Sequence, residues 1–230
     1  MSVLYSIWKN RSILKFLPQI IYLNFKCLPL RQAVKLPIWL YKPKFLSLKG
    51  KIRIMGGVNT GMVRLGVNLV SIYPQTGIMI ENNGTIIFKG NCCIGNDSYI
   101  SVGCNSTVTF GDKFTATASF KLASHSHITF DDMVSVGWNC LFIDSDFHRL
   151  TREDRYEVNP LGKIKIGKNV WFGNNCIILK KTLIPDFTTI AACTLVNQNV
   201  VVPEKTIIGN PRSISVLQTG VWRDFNNDKI

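Results

Sequence analysis

The sequence predicts an all-β solenoid built from hexapeptide rungs, preceded by a basic, partly helical N-terminal arm. The first observation is a run of apolar residues that stand six apart without a break. The second is a small or β-branched residue four places after each of the first six members of that run. The run is Ile166, Phe172, Ile178, Ile184, Ile190, Val196 and Val202. The smaller residues are Val170, Cys176, Thr182, Thr188, Thr194 and Val200.

A period of six belongs to neither of the common elements, because an α-helix repeats at about 3.6 residues and a flat strand at about 2. A rung made of one short strand and one corner has this period. Three such rungs complete one coil of a triangular prism, with the apolar residue pointing inward and the coils stacked at about 4.8 Å.

The upstream half carries the same repeat less regularly. The spacing of six holds from Phe110 to Ile128 and resumes at Phe130, two residues out of phase. We interpret the slip as two residues added at a corner. The alternative is an antiparallel sandwich, since Gly77–Phe88 resembles a hairpin with a central Asn-Gly turn. A sandwich has no reason to keep a six-residue phase over seven rungs, so the solenoid is favoured.

Composition fits one domain with an appendage, because 230 residues with 46% hydrophobic content can form a sizeable core. The seven cysteines contain no CxxC pair. Cys92, Cys104, Cys140 and Cys176 fall on the small inward position of the repeat. They are therefore expected to be core residues in a reducing compartment, and neither a disulfide framework nor a zinc site.

Charge is distributed unevenly along the chain. No Asp or Glu precedes Glu81, whereas the first 80 residues contain twelve Lys and Arg. The remaining residues carry fifteen basic and fourteen acidic side chains. This asymmetry predicts an anionic surface as a partner. We divide the chain into an arm over residues 1–49, a solenoid over 50–215 and a tail over 216–230.

The arm is predicted to form an amphipathic helix between Val3 and Ile21, which Pro18 would kink or end. No apolar run is long enough to span a bilayer, and no secretory signal is recognisable. A basic amphipathic helix can lie in the interface of an anionic leaflet. Alternatively, the arm packs across the open end of the solenoid. Nucleic-acid binding is not expected, because no nucleic-acid-binding motif accompanies the charge.

The repeat breaks after Phe142. If the spacing of six continued, inward apolar residues would follow at the next three positions of the repeat, but the sequence has His148, Asp154 and Pro160 there. The polar stretch 148–163 therefore predicts one large loop extruded from the prism, with the repeat resuming at Ile164. Long loops on rigid scaffolds commonly carry function.

A histidine with two nearby carboxylates stands at the root of this loop: Asp144, Asp146 and His148. A neutral imidazole accepts a proton near pH 7, and a carboxylate can orient it, so the cluster predicts a general base. The alternative is a solvated surface group. His125 and His127 are expected to be a surface pair on a strand; a zinc site that includes His148 is the other possibility. No metal is expected.

Two segments carry a resemblance to a known family. The stretch KIKIGKNVWFGNNCIILKKTLIPDFTTIAACTLV, with the closing IIGNPRSI, resembles the C-terminal coils of the hexapeptide-repeat acyltransferases. Their fold is a left-handed parallel β-helix. The segment SVGWNCLFIDSDFHRL resembles the catalytic segment of the branch that O-acetylates sugars in cell-surface polysaccharides.

The resemblance implies a homotrimer with active sites between adjacent prisms and acetyl-CoA as the acyl donor. His148 would be the general base and Asp144 or Asp146 its partner. The implied cofactor-binding residues are Trp171, Gly173, Asn174, Lys180, Ala192 and Arg212. The implied acceptor-binding residues are Trp138 and Asn139.

We therefore expect a CoA-dependent O-acetyltransferase that modifies a saccharide hydroxyl in O-antigen or capsule-type polysaccharide. It would be cytoplasmic, with possible peripheral contact with the inner face of the cell membrane. One alternative is an N-acyltransferase acting on an amino-sugar nucleotide. Another is a solenoid scaffold without catalytic activity.

Overall fold

A computed structural model describes residues 11–148, 150, 159–209 and 216–220. Within these residues, three sheets of mainly parallel strands wind into a triangular prism, and from β1 to β17 each strand pairs with the strand three places later in the chain. The chain therefore visits three faces in turn, which we name A, B and C. The architecture is the predicted left-handed parallel β-helix.

The strands are grouped by face. Face A contains β1 (Ile38–Leu40), β4 (Val63–Val67), β7 (Cys92–Gly95), β10 (Phe114–Ala116), β13 (Ser135–Val136), β16 (Trp171–Phe172), β19 (Thr189–Ile190), β21 (Thr206–Ile208) and the antiparallel β22 (Val216–Thr219). Face B contains β2 (Pro43–Leu48), β5 (Ile78–Asn82), β8 (Ser98–Val102), β11 (Lys121–Ser124), β14 (Leu141–Ile143), β17 (Ile177–Leu179) and β20 (Leu195–Val196). Face C contains β3 (Lys51–Ile54), β6 (Thr85–Phe88), β9 (Thr107–Phe110), β12 (His127–Phe130), β15 (Ile164–Ile166) and β18 (Thr182–Ile184). We number the coils from β1, so β13, β14 and β15 form coil 5.

The inward positions are those that the period of six predicts. The first six residues of the apolar run are at most 1% exposed, and only Val202, at the end of the run, is half-buried. Aromatic rings fill the prism where the coils are widest: Phe88, Phe110 and Phe130 stack at centroid distances of 5.4 and 5.5 Å. The hairpin alternative is wrong, because β5 and β6 lie on different faces and pair in parallel with other coils.

The phase slip is two residues added at the corner between faces B and C. In coil 4, eight positions separate the inward Leu122 and Phe130, whereas six separate the equivalent Ile178 and Ile184 in coil 6. The wider corner also corrects one cysteine assignment. Cys104 is exposed, because the insertion moves the inward position of coil 3 to Ser106, which is buried. Cys92, Cys140 and Cys176 are buried as predicted.

The N-terminal arm packs across the open end of the prism. A 3-10 helix, Arg11–Phe16, leads into α1 (Leu17–Cys27), and the single turn α2 (Leu30–Ala33) follows. Ile20 and Leu23 are fully buried against the first coil. The side chain of Asn24 bonds both the N–H and the carbonyl of Ile38, at 3.1 and 2.8 Å. This capping was one of the two alternatives for the arm.

Two details of the arm differ from expectation. Pro18 stands in the first turn of α1 and does not end a helix, because the missing N–H of a proline is tolerated in a first turn. The solenoid also begins before residue 50, since β1 and β2 pair with β4 and β5. Positions 1–10 of the arm lie outside the described residues. No helix within the described ranges is long and apolar enough to cross a membrane.

Candidate functional site

A cleft of about 560 Å³ runs along the corner between faces A and B, here called the A/B cleft. It extends from coil 4 towards coil 8 on the outer surface of the prism. Five residues that the sequence assigns to donor or acceptor binding line it: Trp138, Trp171, Gly173, Asn174 and Ala192. The structure thus brings together residues from three successive coils that are up to 54 positions apart in the chain.

A column of small residues forms the floor of the A/B cleft. Gly137, Gly173 and Ala191 occupy the same place in coils 5, 6 and 7, one residue after the last inward residue of face A. Methyl groups added to the two glycines would lie 2.9 and 2.6 Å from the backbone nitrogens of Asn174 and Ala192. Side chains at these two positions would collide with the next coil. The two glycines therefore let the coils stack closely and also keep the cleft open.

The walls of the cleft combine aromatic surface with polar backbone. Trp138 is half-buried, and Trp171 is 39% exposed. The carbonyl of Asn174 accepts a hydrogen bond from the N–H of Cys193 at 2.9 Å. Among the hydrogen bonds of the described residues, the amides of Asn174 and Ala192 donate none, so both N–H groups are available to a ligand.

Asn139, which the sequence assigns to acceptor binding, stands apart from the cleft lining. The side chain of Asn139 lies beside the cleft, where its amide donates to Asn175 at 2.7 Å and its oxygen accepts from Lys121 at 3.0 Å. These contacts tie coils 4, 5 and 6 together. Arg212 lies outside the described residues.

The predicted base lies on another edge of the prism, at the corner between faces B and C, here called the B/C corner. His148 follows β14 in coil 5, and its side chain is exposed. Its carbonyl accepts a hydrogen bond from the side-chain amide of Asn159 at 2.8 Å. Asn159 also donates to Asp146 at 2.9 Å and accepts from the N–H of Leu150 at 2.6 Å. One amide therefore bridges the outgoing and returning ends of the loop.

Lys180 completes this bridge. Its ammonium group donates to Asp146 at 2.7 Å and to the carbonyls of Asn159 and Pro160 at 3.1 and 3.2 Å. Since an ammonium group has three protons, its donors are all engaged. Lys180 therefore holds the root of the loop and is not among the residues that line the A/B cleft of its own chain, so its assignment to cofactor binding stays a prediction. Hydrogen bonds from Lys180, and then from Asn159, lower the pKa of Asp146.

Asp144 is fully buried and supports the neighbouring coil. Its carboxylate accepts from the hydroxyl of Ser124 at 2.6 Å and from the N–H groups of His125 and Ser126 at 2.6 and 3.0 Å. The ring of His125 in turn lies edge-on against Phe147, with 4.7 Å between centroids. Both carboxylates thus bond groups other than the imidazole of His148: Asp144 bonds coil 4, and Asp146 bonds the loop root.

Sequence reasoning missed a second break in the repeat. Residues 68–77, between β4 and β5, form a loop that carries Val70 into the A/B cleft. Tyr73 of this loop packs on Trp138. The sequence contained a signal for this loop, because ten residues of mixed polarity lie between the segments that form β4 and β5. Thr117 and Thr189 also line the cleft, and the coil register alone would have located both.

His125 and His127 are both exposed, as a surface pair should be. In the part of the chain that the structure describes, no three His, Cys, Asp or Glu side chains are grouped so that they could hold a metal ion.

Comparison with known proteins shows which structures share this fold. No protein-family model matches the sequence. The chain is 28% identical over 151 residues to an uncharacterized 24.8 kDa protein in the cps region of Klebsiella pneumoniae. That match covers 65% of this chain and 65% of the relative, so it spans less than two thirds of the relative's length.

Among solved structures, the chain resembles the polySia specific acetyltransferase NeuO, with a TM-score of 0.54 and 17% identity. The match covers 82% of this chain and 92% of NeuO. A mutant form of AntD, an N-acyltransferase from Bacillus cereus, is also similar, with a TM-score of 0.45, 17% identity and coverage of 73% and 83%. The chain therefore has the hexapeptide-repeat, left-handed β-helix fold that the sequence resemblance implied.

Proposed function

We propose that the protein is a CoA-dependent O-acetyltransferase that transfers an acetyl group from acetyl-CoA to a sugar hydroxyl of a cell-surface polysaccharide. The observation that carries this proposal is the convergence of Trp138, Trp171, Gly173, Asn174 and Ala192 in one cleft. The sequence resemblance independently assigns these residues to donor and acceptor binding. A narrow apolar groove with backbone donors along one wall suits the pantetheine arm of CoA, which is a thin chain with two amides.

The chemistry requires a base, an oxyanion site and a leaving thiol. The imidazole of His148 takes the proton from the sugar hydroxyl as its oxygen attacks the thioester carbon. Backbone N–H groups at the cleft stabilise the oxyanion of the tetrahedral intermediate. Collapse of this intermediate breaks the C–S bond, and the imidazolium returns its proton to the sulfur. The products are the sugar acetate and free CoA.

The base and the cleft belong to different edges of one prism, so a single chain does not complete this site. A homotrimer with its prisms side by side would place the B/C corner of one subunit against the A/B cleft of the next. Coils of equal number would lie at equal height, so the partner's loop would approach at the level of coil 5, where Trp138 stands.

The acceptor class rests on the two similar proteins. The relative from Klebsiella pneumoniae is described as a protein in the cps region, and NeuO is described as a polySia specific acetyltransferase. Both support a polysaccharide acceptor over a small amino sugar.

The direct test is release of free thiol from acetyl-CoA with polysialic acid and other surface glycans as acceptors. His148→Ala should lower turnover by roughly 10²–10⁴-fold, the usual contribution of a general base. The matched control is His127→Ala, since that histidine is also exposed at the B/C corner of a neighbouring coil. Equal turnover in the parent and His148→Ala would remove His148 from the mechanism.

Mixing two inactive variants tests whether the site is shared. Ala192→Trp blocks the cleft and His148→Ala removes the base. If neighbouring subunits supply the two halves, random mixing in a trimer regenerates about a quarter of the sites. If one chain supplies both halves, mixed trimers stay inactive.

We further propose that the arm holds the enzyme on the inner face of the cell membrane. The outer side of α1 and the preceding turn exposes large apolar side chains, each 43–53% accessible, while the opposite side is buried. These are Leu14, Ile21, Tyr22 and Phe25. Exposed cations flank them: Lys15, Lys26, Arg31 and Lys35. An anionic leaflet satisfies both the apolar and the basic groups, whereas a second copy of the arm would oppose like charges.

Sedimentation with vesicles tests this placement. The protein should bind phosphatidylcholine vesicles that contain phosphatidylglycerol at low salt, and not pure phosphatidylcholine. The double variant Lys15→Glu, Lys26→Glu should bind more than about tenfold more weakly. Ile21→Ser should weaken binding, while Leu183→Ser, which is equally exposed on face C, should not. Equal retention on both vesicle types, or self-association through α1 without lipid, would refute the proposal.

A further inference from the structure

The loop of residues 68–77, which we call the corner loop, leaves the prism after β4 and returns at β5. Its ends belong to coil 2, yet it contacts residues of coils 3 and 5 along the A/B corner. It therefore lies lengthwise along the prism and crosses the coils.

One buried side chain holds the corner loop in place. Asn96, at the A/B corner of coil 3, is 1% exposed. Its oxygen accepts from the N–H groups of Leu69 and Val70 at 3.2 and 3.3 Å. Its amide donates to the carbonyls of Val70, Tyr73 and Pro74 at 3.1–3.4 Å. Five hydrogen bonds to one buried amide specify the path of the loop more strongly than surface packing would.

The fixed loop closes one end of the A/B cleft. Val70 lines the cleft together with Thr117 of coil 4. Tyr73 packs on Trp138, with 6.0 Å between the ring centroids and 42° between the ring planes. From this end the cleft runs towards Ala192 of coil 7 and Ile207 of coil 8.

The position of the reacting carbon sets the direction of the donor. Under the proposed function, on which this inference rests, the thioester lies at the height of coil 5, because His148 and Trp138 both belong to that coil. The long CoA chain must then run along the cleft towards Ala192. The acyl group consequently points the other way, towards Val70 and Tyr73.

We propose that Val70 and Tyr73 limit the length of the acyl group, so that the enzyme accepts acetyl and rejects longer chains. The two carbons of acetyl end before the corner loop. Each further methylene would meet Val70 and the Trp138 ring on which Tyr73 packs, and the bonds from Asn96 hold the loop in place. Both residues act on donor specificity and neither takes part in proton transfer.

Isothermal titration calorimetry with CoA, acetyl-CoA and butyryl-CoA tests this without a known acceptor. The parent should bind acetyl-CoA more tightly than butyryl-CoA. Tyr73→Ala should shift the ratio of the two dissociation constants towards butyryl-CoA by roughly tenfold, the order expected for two additional buried methylene groups. Asn96→Ala should shift the ratio in the same direction, since it releases the loop.

Ile72→Ala is the matched control, because Ile72 belongs to the same loop but is 75% exposed and takes part neither in the ring contact with Trp138 nor in the hydrogen bonds to Asn96. It should keep the parent's ratio, and affinity for CoA itself should be similar in all variants. If the parent binds acetyl-CoA and Tyr73→Ala keeps the parent's ratio, the length limit is wrong and the proposed function stands. If the parent binds neither CoA nor its thioesters, the proposed function is wrong and the length limit falls with it.

Discussion

On the floor of the A/B cleft, coil 5 meets coil 6 through small residues and backbone hydrogen bonds, whereas at its B/C corner coil 5 is held by an ion pair and a bridging amide. The floor of the A/B cleft needs only that Gly137 and Gly173 lack side chains, since the backbone of each coil bonds to the next. The B/C corner depends on the contacts that Lys180 and Asn159 make with Asp146 and with the loop backbone.

This difference suggests that the A/B cleft and the B/C corner have different functions. Under the proposed function, the groove lined by backbone would bind the donor, and the loop root held by side-chain contacts would position the base. The corner loop lies beside the A/B cleft but is held by a side chain, the buried amide of Asn96. Four perturbations should separate the two corners, from the largest effect to the smallest.

Filling the A/B cleft should have the largest effect. Ala192 is exposed at the mouth of the cleft, so Ala192→Trp obstructs the groove without burying a new side chain. We expect at least about a hundredfold weaker CoA binding by calorimetry, because the groove has no room to repack around a Trp. The unfolding temperature should stay close to that of the parent. Unchanged CoA affinity would show that the donor binds elsewhere.

Removing the buried carboxylate should destabilise the fold. Asp144→Ala leaves the hydroxyl of Ser124 and two N–H groups without their acceptor in a closed environment. The free energy of unfolding should fall by about 2–4 kcal/mol, measured by urea denaturation. Asp131→Ala is a suitable comparison, because its carboxylate is partly exposed and its ion pair with Lys89 is long, at 3.8 Å. Equal stability of both variants would contradict the supporting role of Asp144.

Loosening the loop root should affect the chemical step and spare donor binding. Lys180→Met removes three hydrogen bonds while keeping the length of the side chain. We expect kcat to fall roughly tenfold, since small displacements of a base are costly, while the dissociation constant for CoA stays within about twofold. Lys181→Met is the control on the neighbouring exposed lysine. A loss of CoA affinity in Lys180→Met would support the assignment of Lys180 to cofactor binding.

Protonation of Asp146 at low pH should break its ion pair with Lys180, and the loss of stability should be the smallest of the four effects. Because Lys180 lowers the pKa of Asp146, the ion pair stabilises the folded state above the ordinary carboxyl range, and this contribution is lost as the pH falls through the lowered value. The parent should therefore melt slightly higher than Asp146→Asn at pH 6, and the difference should shrink towards pH 3. A difference that grows on acidification would contradict the pair.

The sequence was most informative where structure is local. The period of six in the run from Ile166 to Val196 specified the inward side chains and the prism. The cleft residues followed from motif position, and the structure brings five of them together. The cap formed by the arm was one of two possibilities that the sequence left open.

Contacts at the widened or interrupted corners join residues 26–36 positions apart, and a uniform period of six does not specify these spacings. The sequence therefore misplaced Cys104 and missed the corner loop, since each depends on how wide one corner is and what lies above it. Only the tertiary structure decided that the cleft and His148 occupy different edges of the prism. Strand alternation is encoded in neighbouring residues, whereas the alignment of corners arises only when the coils stack.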